Sequence, residues 1–444
     1  MRRGGRASLG LVMAASGCQL VVGHYTAGEV GEPDAGTMGA DTGATVDARL
    51  ESGSADTTGP EAEAEAGPDV TVVETGTDAA GCTPGAQQCS GAGSDVETCT
   101  ASGTWGAAWP CATGLCAGGG CSGATSGASN PSCTVAGDGL TDCGAASESC
   151  CTSDDVVGGT YDRTYASSGG DAAGLSDPAT VSGLRMDRYL VTVGRFRQFV
   201  QAWNDGDATP AAHSGKHVHL NGGQGLVDSS LTTSNEGGWD ASDDGSIQPT
   251  DANLMSCIIT SDDASAVAYS TWTPSPAGQE TLPINCINWY EAYAFCIWDG
   301  GFLPSEAELE YAAAAGSQQR EYPWGGADPG TSDEYAIYGC NYPLGADGAC
   351  TGVEDIAPVG SAPSGAGAWG QVDLAGDMYG WTLDAYAAFV SPCDDCAYLG
   401  SAPARAIRGG AFAYDEASLL VRARDSSAPA FRNGSIGVRC ARTP

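Results

Sequence analysis

Leu303-Pro304-Ser305-Glu306-Ala307-Glu308-Leu309-Glu310-Tyr311-Ala312 is the stretch that decides the fold of this 444-residue chain. Ser305, followed three residues later by Glu308, is a capping box in which each side chain satisfies a free backbone N–H of the other at a helix start. The pattern predicts a helix that opens at Ser305, runs through Ala312–Ala315 and stops at Gly316. Glu306, Glu308 and Glu310 look like an acid cluster, but capping and helix solvation account for them. Upstream, Asn288 predicts the cap of a second helix, Trp289 to Trp298, stopped by Gly300-Gly301. Further upstream, Arg185 to Val191 reads as a strand. Thr192 then caps a helix in which Phe196, Phe199, Val200 and Trp203 recur at i, i+3, i+4 and i+7. The remainder from about residue 152 is glycine-rich and irregular, with few short strands. That texture implies a compact α+β domain rather than alternating βαβ units.

Several segments between about 155 and 442 resemble, in order and spacing, the formylglycine-generating enzyme family, also called sulfatase-modifying factors. Val157-Gly158-Gly159-Thr160-Tyr161 is similar to the family's G-G-x-F/Y entry strand, and Arg185 to Thr192 to the strand that ends in E-V-T. Pro283 to Ala292 resembles P-V-x-x-V-x-W-x-x-A, Leu303 to Ala312 resembles L-P-T-E-A-E-W-E-Y-A, and Tyr322-Pro323-Trp324-Gly325 resembles Y-P-W-G. Arg408-Gly409-Gly410-Ala411-Phe412 and Gly437-Val438-Arg439-Cys440-Ala441-Arg442 resemble its C-terminal signature. The resemblance implies the family's complex architecture, related to C-type lectins and poor in regular secondary structure. It also implies a disulfide between Cys296 and Cys440, which would close a long loop and contribute about 4–5 kcal/mol. Cys340 with Cys350, and Cys393 with Cys396, are expected to pair locally.

In active members the Gly-Gly run leads into two cysteines that hold copper. Residue by residue, those positions are Tyr414 and Leu419 here. Neither supplies the soft thiolate that selects copper, so copper is not expected. Gln371 to Trp381 resembles the family's calcium loop, x-x-N-L-x-G-N-V-W-E-W. This implies a calcium site drawing on Asp373, Gly376 and Asp377, hard oxygen donors that suit the ion. Gly380 stands where the family has Glu, so one ligand is missing. Asn341 matches the first residue of a second calcium loop. A turn that uses Asp and Gly for their backbone conformations is the other reading. His213, His217 and His219 offer a set that would suit zinc or a three-histidine iron site like that of the related sulfoxide synthases. Loop histidines explain the same letters.

Arg2, Arg3 and Arg6, the apolar run Ala7 to Ala15 and the small residues before Cys18 read as residues 1–18 of an export signal with a lipobox, Cys18 being the acylated residue. An ordinary secretory signal cut nearby is the alternative. Residues 19–81 form an acidic linker: from His24 to Gly81 there are 13 acidic residues, one Arg and one aromatic. Such a stretch cannot bury enough apolar surface to offset its ordering entropy and is expected to be disordered. Residues 82–151 carry two cysteine clusters, one with Trp105 and Trp109 as its large side chains. Disulfides are expected there, with zinc as the competing reading. Cys150 and Cys151 are expected to reach different partners, because adjacent cysteines pair only under strain. The family-like domain is expected over 152–444.

With 18 basic and 55 acidic residues the net charge is −37, which argues against nucleic acid and against anionic lipid, since both need a basic face. Removing Cys18 from the 19 cysteines leaves an even number for an oxidising compartment. Together these features imply an outer-membrane or cell-surface lipoprotein, or a periplasmic or secreted protein if the signal is ordinary. Contact with the membrane would be through the lipid alone. A non-catalytic domain that binds an envelope peptide, protein or glycan is the leading reading. A metal-dependent oxidase with an altered site, using the histidines or Tyr414, is the alternative.

Overall fold

The first and last strands of the domain lie on the two edges of one small sheet. Ala441–Arg442 and Ser153–Val156 flank Leu184–Asp187 in antiparallel register, with Ala441 opposite Met186 and Asp154 opposite Met186 on the other side. In this computed structural model the described residues are 125–444 apart from 169–170, 232–233, 260–266 and 345–347, with short pieces between 87 and 121. The export signal, Cys18 and the 19–81 linker lie outside the described residues. Of the first cysteine cluster, short strands Gln87–Cys89, Asp95–Thr98 and Trp109–Pro110 pair antiparallel, and Cys116–Ala117 pairs with Gly120–Cys121.

The three helices form where their caps place them. Thr192 accepts from the Arg195 N–H at the start of Val193–Asp205. Asn288 and Glu291 complete a capping box at the head of Trp289–Trp298, and Ser305 and Glu308 complete another at Glu306–Ala314. The strand read over Arg185–Val191 is shorter, ending at Asp187. Beyond it the backbone leaves the ladder to let Val191 bridge two segments, its N–H bonding Val438 and its carbonyl accepting from Ile284. The third helix also stops early: Ala315 itself takes the left-handed conformation, and Gly316 opens a short 3-10 turn. Close packing explains why Gly316 and Gly159 carry no side chain. A Cβ on either would lie 2.8 or 2.5 Å from the Tyr311 hydroxyl, which donates to the Val157 carbonyl inside the core.

Tyr379–Ala385 is central in a four-stranded sheet, antiparallel to Arg405–Arg408 and parallel to Ile436–Gly437, with Asp425–Ser427 on the edge. The long hairpin Gly159–Ser168 and Asp171–Val181 receives Cys393–Asp394 as a parallel third strand. The largest core cluster packs Phe196, Phe199, Phe295, Trp272 and Trp381 between the first two helices and the central sheet. Rings such as Phe196 and Phe295 stack at 5.7 Å.

Six disulfides take up every cysteine from Cys133 to Cys440. Cys296–Cys440, Cys340–Cys350 and Cys393–Cys396 are the expected pairs. Cys150 and Cys151 reach different partners, Cys143 and Cys133. Cys257–Cys286 is a bridge that no motif in the sequence announces. The second cysteine cluster is hydrogen-bonded to the body of the domain. Ser132 N–H donates to Asp299, Tyr189 donates to Glu148, and the Cys150 carbonyl accepts from Arg195.

That last contact belongs to a buried ionic cluster. Arg195, fully enclosed, bonds Asp187 at 2.9 Å and Asp299 at 2.6 Å. Arg442 bonds the same two carboxylates at 3.0 and 2.7 Å. Burial pushes the Asp299 carboxyl up, but the Arg195 and Arg442 charges and the Ser132 N–H together hold it below its usual value. Two cations balance two anions, and each hydrogen-bonds its neighbours, which is the condition for a buried cluster to be tolerated. Arg195→Met would leave two buried carboxylates sharing one cation and is expected to cost about 3–5 kcal/mol. Guanidinium unfolding with the disulfides intact measures this, and a cost below about 1 kcal/mol would show the cluster to be dispensable.

Candidate functional site

The Gly409-Gly410 run holds three loops together. Both glycines have positive φ, and a Cβ on Gly409 would lie 2.8 Å from the Leu374 carbonyl, one on Gly410 2.7 Å from the Ser418 hydroxyl. Gly376 N–H donates to the Gly409 carbonyl, Phe412 N–H to Asp377, Cys340 N–H to Phe412, and Gly339 N–H to Tyr414. The segments around 339, 376 and 412 are thereby strapped into one unit, with Phe412 buried at its centre.

Tyr414 lies at the surface end of this unit, its ring edge-on to Tyr379 at 5.0 Å. Burial and the charge of Asp425 push its phenol up. Leu419 is buried in an apolar cluster with Tyr322, Ala336, Tyr338 and Ala375. Between them, Glu416 accepts from the Tyr322 hydroxyl at 2.7 Å. Tyr322 stacks face to face with Trp324 at 4.9 Å, and Trp324 with Tyr335 at 5.4 Å. All cysteines from 133 onward are in disulfides, so none of these offers a thiol here. What remains is a phenol-rich, partly exposed surface capable of stacking and hydrogen bonding.

Asp373 and Asp377 are brought together behind the strap. Asp373 accepts from the Gly360 N–H at 2.7 Å and Asp377 from the Ala357 N–H at 3.1 Å. The second Asp377 oxygen, Oδ2, is buried without a partner. Burial, then the Asp373 charge, raises the Asp377 carboxyl well above its ordinary value, and burial raises Asp373. Arg439 touches the carbonyls of Val372 and Asp373 rather than the carboxylates. Asn341 donates to the Tyr338 carbonyl at 3.1 Å, and Tyr342 beside it senses the Asp377 charge. Gly376, at positive φ, packs against Ile337.

The three histidines do not converge on a metal. Among the described residues no group of three or more His, Cys, Asp or Glu side chains is placed to hold one. His213 is exposed, its Nδ1 3.0 Å from the Gly237 carbonyl. His217 is fully buried between two carboxylates, Nδ1 2.9 Å from Glu236 and Nε2 3.0 Å from Glu308. Burial alone would lower its pKa, but Glu308 and Glu236 more than reverse this, to about 10. A doubly protonated imidazole has no lone pair for a metal. His219 lies against Phe302 instead, and burial pushes it down to about 4.

Glu306, Glu308 and Glu310 are all buried, which corrects the expectation of a solvated helix face. Glu308 caps the helix and holds His217. Glu306 bonds Arg408 at 2.8 Å and Arg424 at 2.7 Å, and Glu310 bonds the other side of Arg408 at 2.8 Å. These partners are remote in sequence, and the alternating carboxylates of one short helix give no local sign of them.

The FGE-sulfatase family profile, described as a sulfatase-modifying factor enzyme 1-like domain, matches residues 148–444. The chain belongs to this family. It is 34% identical over 172 residues to the formylglycine-generating enzyme of Streptomyces coelicolor, covering 37% of this chain and 54% of that protein. It is 31% identical over 173 residues to the hercynine oxygenase of Mycobacterium tuberculosis, covering 36% of each. It is 34% identical over 106 residues to the inactive C-alpha-formylglycine-generating enzyme 2 of Mus musculus, covering 24% of this chain and 33% of that one. The chain thus spans about half or less of the length of these relatives. The solved structure of PvdO from Pseudomonas aeruginosa superposes with a TM-score of 0.42 at 20% identity, over 70% of this chain and 98% of that one.

The Glu236–His217–Glu308 bridge makes stability depend on pH. The folded pKa is raised above the unfolded value of about 6.5, so the bridge contributes fully below that pH and is lost as pH rises through about 10. The denaturant midpoint of the native chain is expected to fall from pH 6.5 to 10, and that of His217→Gln to be flatter over the same window. Parallel curves would show that His217 is not charged in the fold.

Proposed function

We propose that the domain is a non-catalytic binding or scaffold member of its family, carried on an exported lipoprotein. The reading rests on the resemblance, which puts Tyr414 and Leu419 at the family's two copper positions, and it is supported by their surroundings, one partly exposed against Tyr379 and the other sealed in an apolar cluster. Supporting it, every cysteine of the domain is engaged in a disulfide, so no other thiol can take their place. Family relatives of comparable identity include both a formylglycine-generating enzyme and a protein named inactive. The disulfides place the domain in an oxidising, extracytoplasmic compartment. No described helix is long and apolar enough to cross a membrane. Acylation at Cys18 would tether it at the outer membrane or cell surface, with the acidic linker between lipid and domain. The partner is an envelope peptide, protein or glycan, since the negative charge disfavours nucleic acid.

Calcium is part of the proposal. The Asp373 and Asp377 carboxylates fit the ion because two buried anions stand together and Asp377 Oδ2 lacks a partner. The family resemblance adds Asn341 and Gly376 to the proposed ligand set. A bound divalent cation would offset the charge that burial now disfavours.

Two measurements test this. Full-length protein loaded with copper(I) and given oxygen and a Cys-x-Pro-x-Arg peptide is expected to leave the peptide cysteine unchanged by mass spectrometry. Conversion to an aldehyde would instead establish the altered oxidase. Calcium is expected to raise Tm by several degrees, an effect that Asp377→Asn removes. Equal Tm with calcium and with a chelator would refute the site.

A further inference from the structure

A cavity of about 330 Å³ opens beside Leu383 and Arg405 of the central sheet. That volume is near the lower bound for small-ligand sites, about 300 Å³. Its wall carries four carboxylates, Asp228, Glu236, Asp240 and Asp243, against one cation, Arg405. The Arg405 guanidinium covers Trp289 at 3.8 Å and donates to the Leu383 carbonyl at 2.9 Å, and of the four carboxylates its charge is felt at Asp243.

Glu236 is the telling residue. It is 3% exposed, and its Oε2 takes the N–H groups of His217 and Leu226 and the His217 ring nitrogen. Its other oxygen, Oε1, is buried with no partner although the residue lines the cavity. A buried carboxylate oxygen left unpartnered is costly, and a native structure keeps one where something else supplies the donor. Asp243 is pushed up by burial and then by Asp240 beside it, and the Arg405 charge only partly offsets this. No three of the described carboxylates are placed to share one ion. Charges spread around a cavity of this size suit an elongated organic cation better than a metal.

We propose that this cavity binds a small organic polycation whose ammonium groups are bound by Glu236 Oε1 and by the Asp228, Asp240 and Asp243 carboxylates. The site is separate from Tyr414 and Leu419, so it stands or falls independently of whether the domain is catalytic. Charge-assisted hydrogen bonds to the buried oxygen would give the strongest contact. The outer carboxylates would set how far the cation extends.

The test is calorimetric titration of spermidine into the full-length chain at low and at physiological salt. One saturable site is expected at both. Asp243→Asn, which keeps the side chain's size and removes one charge from the wall, is expected to weaken binding about fivefold or more. Glu236→Gln is expected to abolish it, with circular dichroism checking that the loss of the His217 contact leaves the fold intact. Asp138→Asn, on the distant 125–151 segment, is the control for diffuse attraction to a chain of net charge −37. No saturable heat, or equal weakening by Asp138→Asn and Asp243→Asn, would overturn the proposal.

Discussion

Two arginines and two aspartates, sealed from water, hold this domain's beginning and end together. Asp187 closes the strand next to the N-terminal edge, Arg195 sits in the first helix, Asp299 ends the second, and Arg442 is in the final strand. Each charge is satisfied by opposite charges and by backbone or hydroxyl groups, so the cluster works only when all four segments are in place. Hydrophobic packing would accept many helix–sheet arrangements of similar volume. The cluster accepts one. The Cys296–Cys440 bridge runs between the same two segments, the second helix and the last strand, and fixes covalently what the ions specify.

The same logic recurs on the third helix, where it decides what the domain can do. Glu306 and Glu310 grip Arg408 from two turns of one helix, immediately before the Gly409-Gly410 run. That grip fixes where the glycines lie, and the glycines fix the three strapped loops. The loops around Tyr414 and Leu419 are therefore kept in place by ion pairs to which neither of these two side chains contributes.

The helices were legible because their information is local. Thr192, Asn288 and the Ser305–Glu308 pair each cap backbone groups within three residues. The family frame was legible because several short strings recur in order. Long-range polar pairing was not. Glu306 meets Arg408 across 102 positions and Arg424 across 118, and His217 meets Glu308 across 91. Within a short segment a carboxylate on a helix looks the same whether it faces water or a buried guanidinium. The one available signal was an excess of arginine near the C-terminus opposite an acidic helix, which a charge pairing between segments would have used. The histidines failed as a metal set for the same reason: the residues that claim His217 lie elsewhere in the chain. Cys257–Cys286 joins a loop to the second residue before a helix cap, and nothing in the spacing distinguishes that pair from others.

The pairing of the last strand with Leu184–Asp187 also sets the order of assembly. Cys440, Val438 and Arg442 complete contacts with residues near 187, 191 and 195, so these bonds join residues far apart in the chain. Contact order of this kind slows folding, because loop entropy must be lost before the contacts that offset it form. The early strands leave the synthesis machinery long before their edge partner exists. The central strand Leu184–Asp187 then waits with one unpaired edge, a surface open to pairing with other chains. The domain is thus built to fold after its synthesis is finished, and its first half must be protected until the final residues arrive.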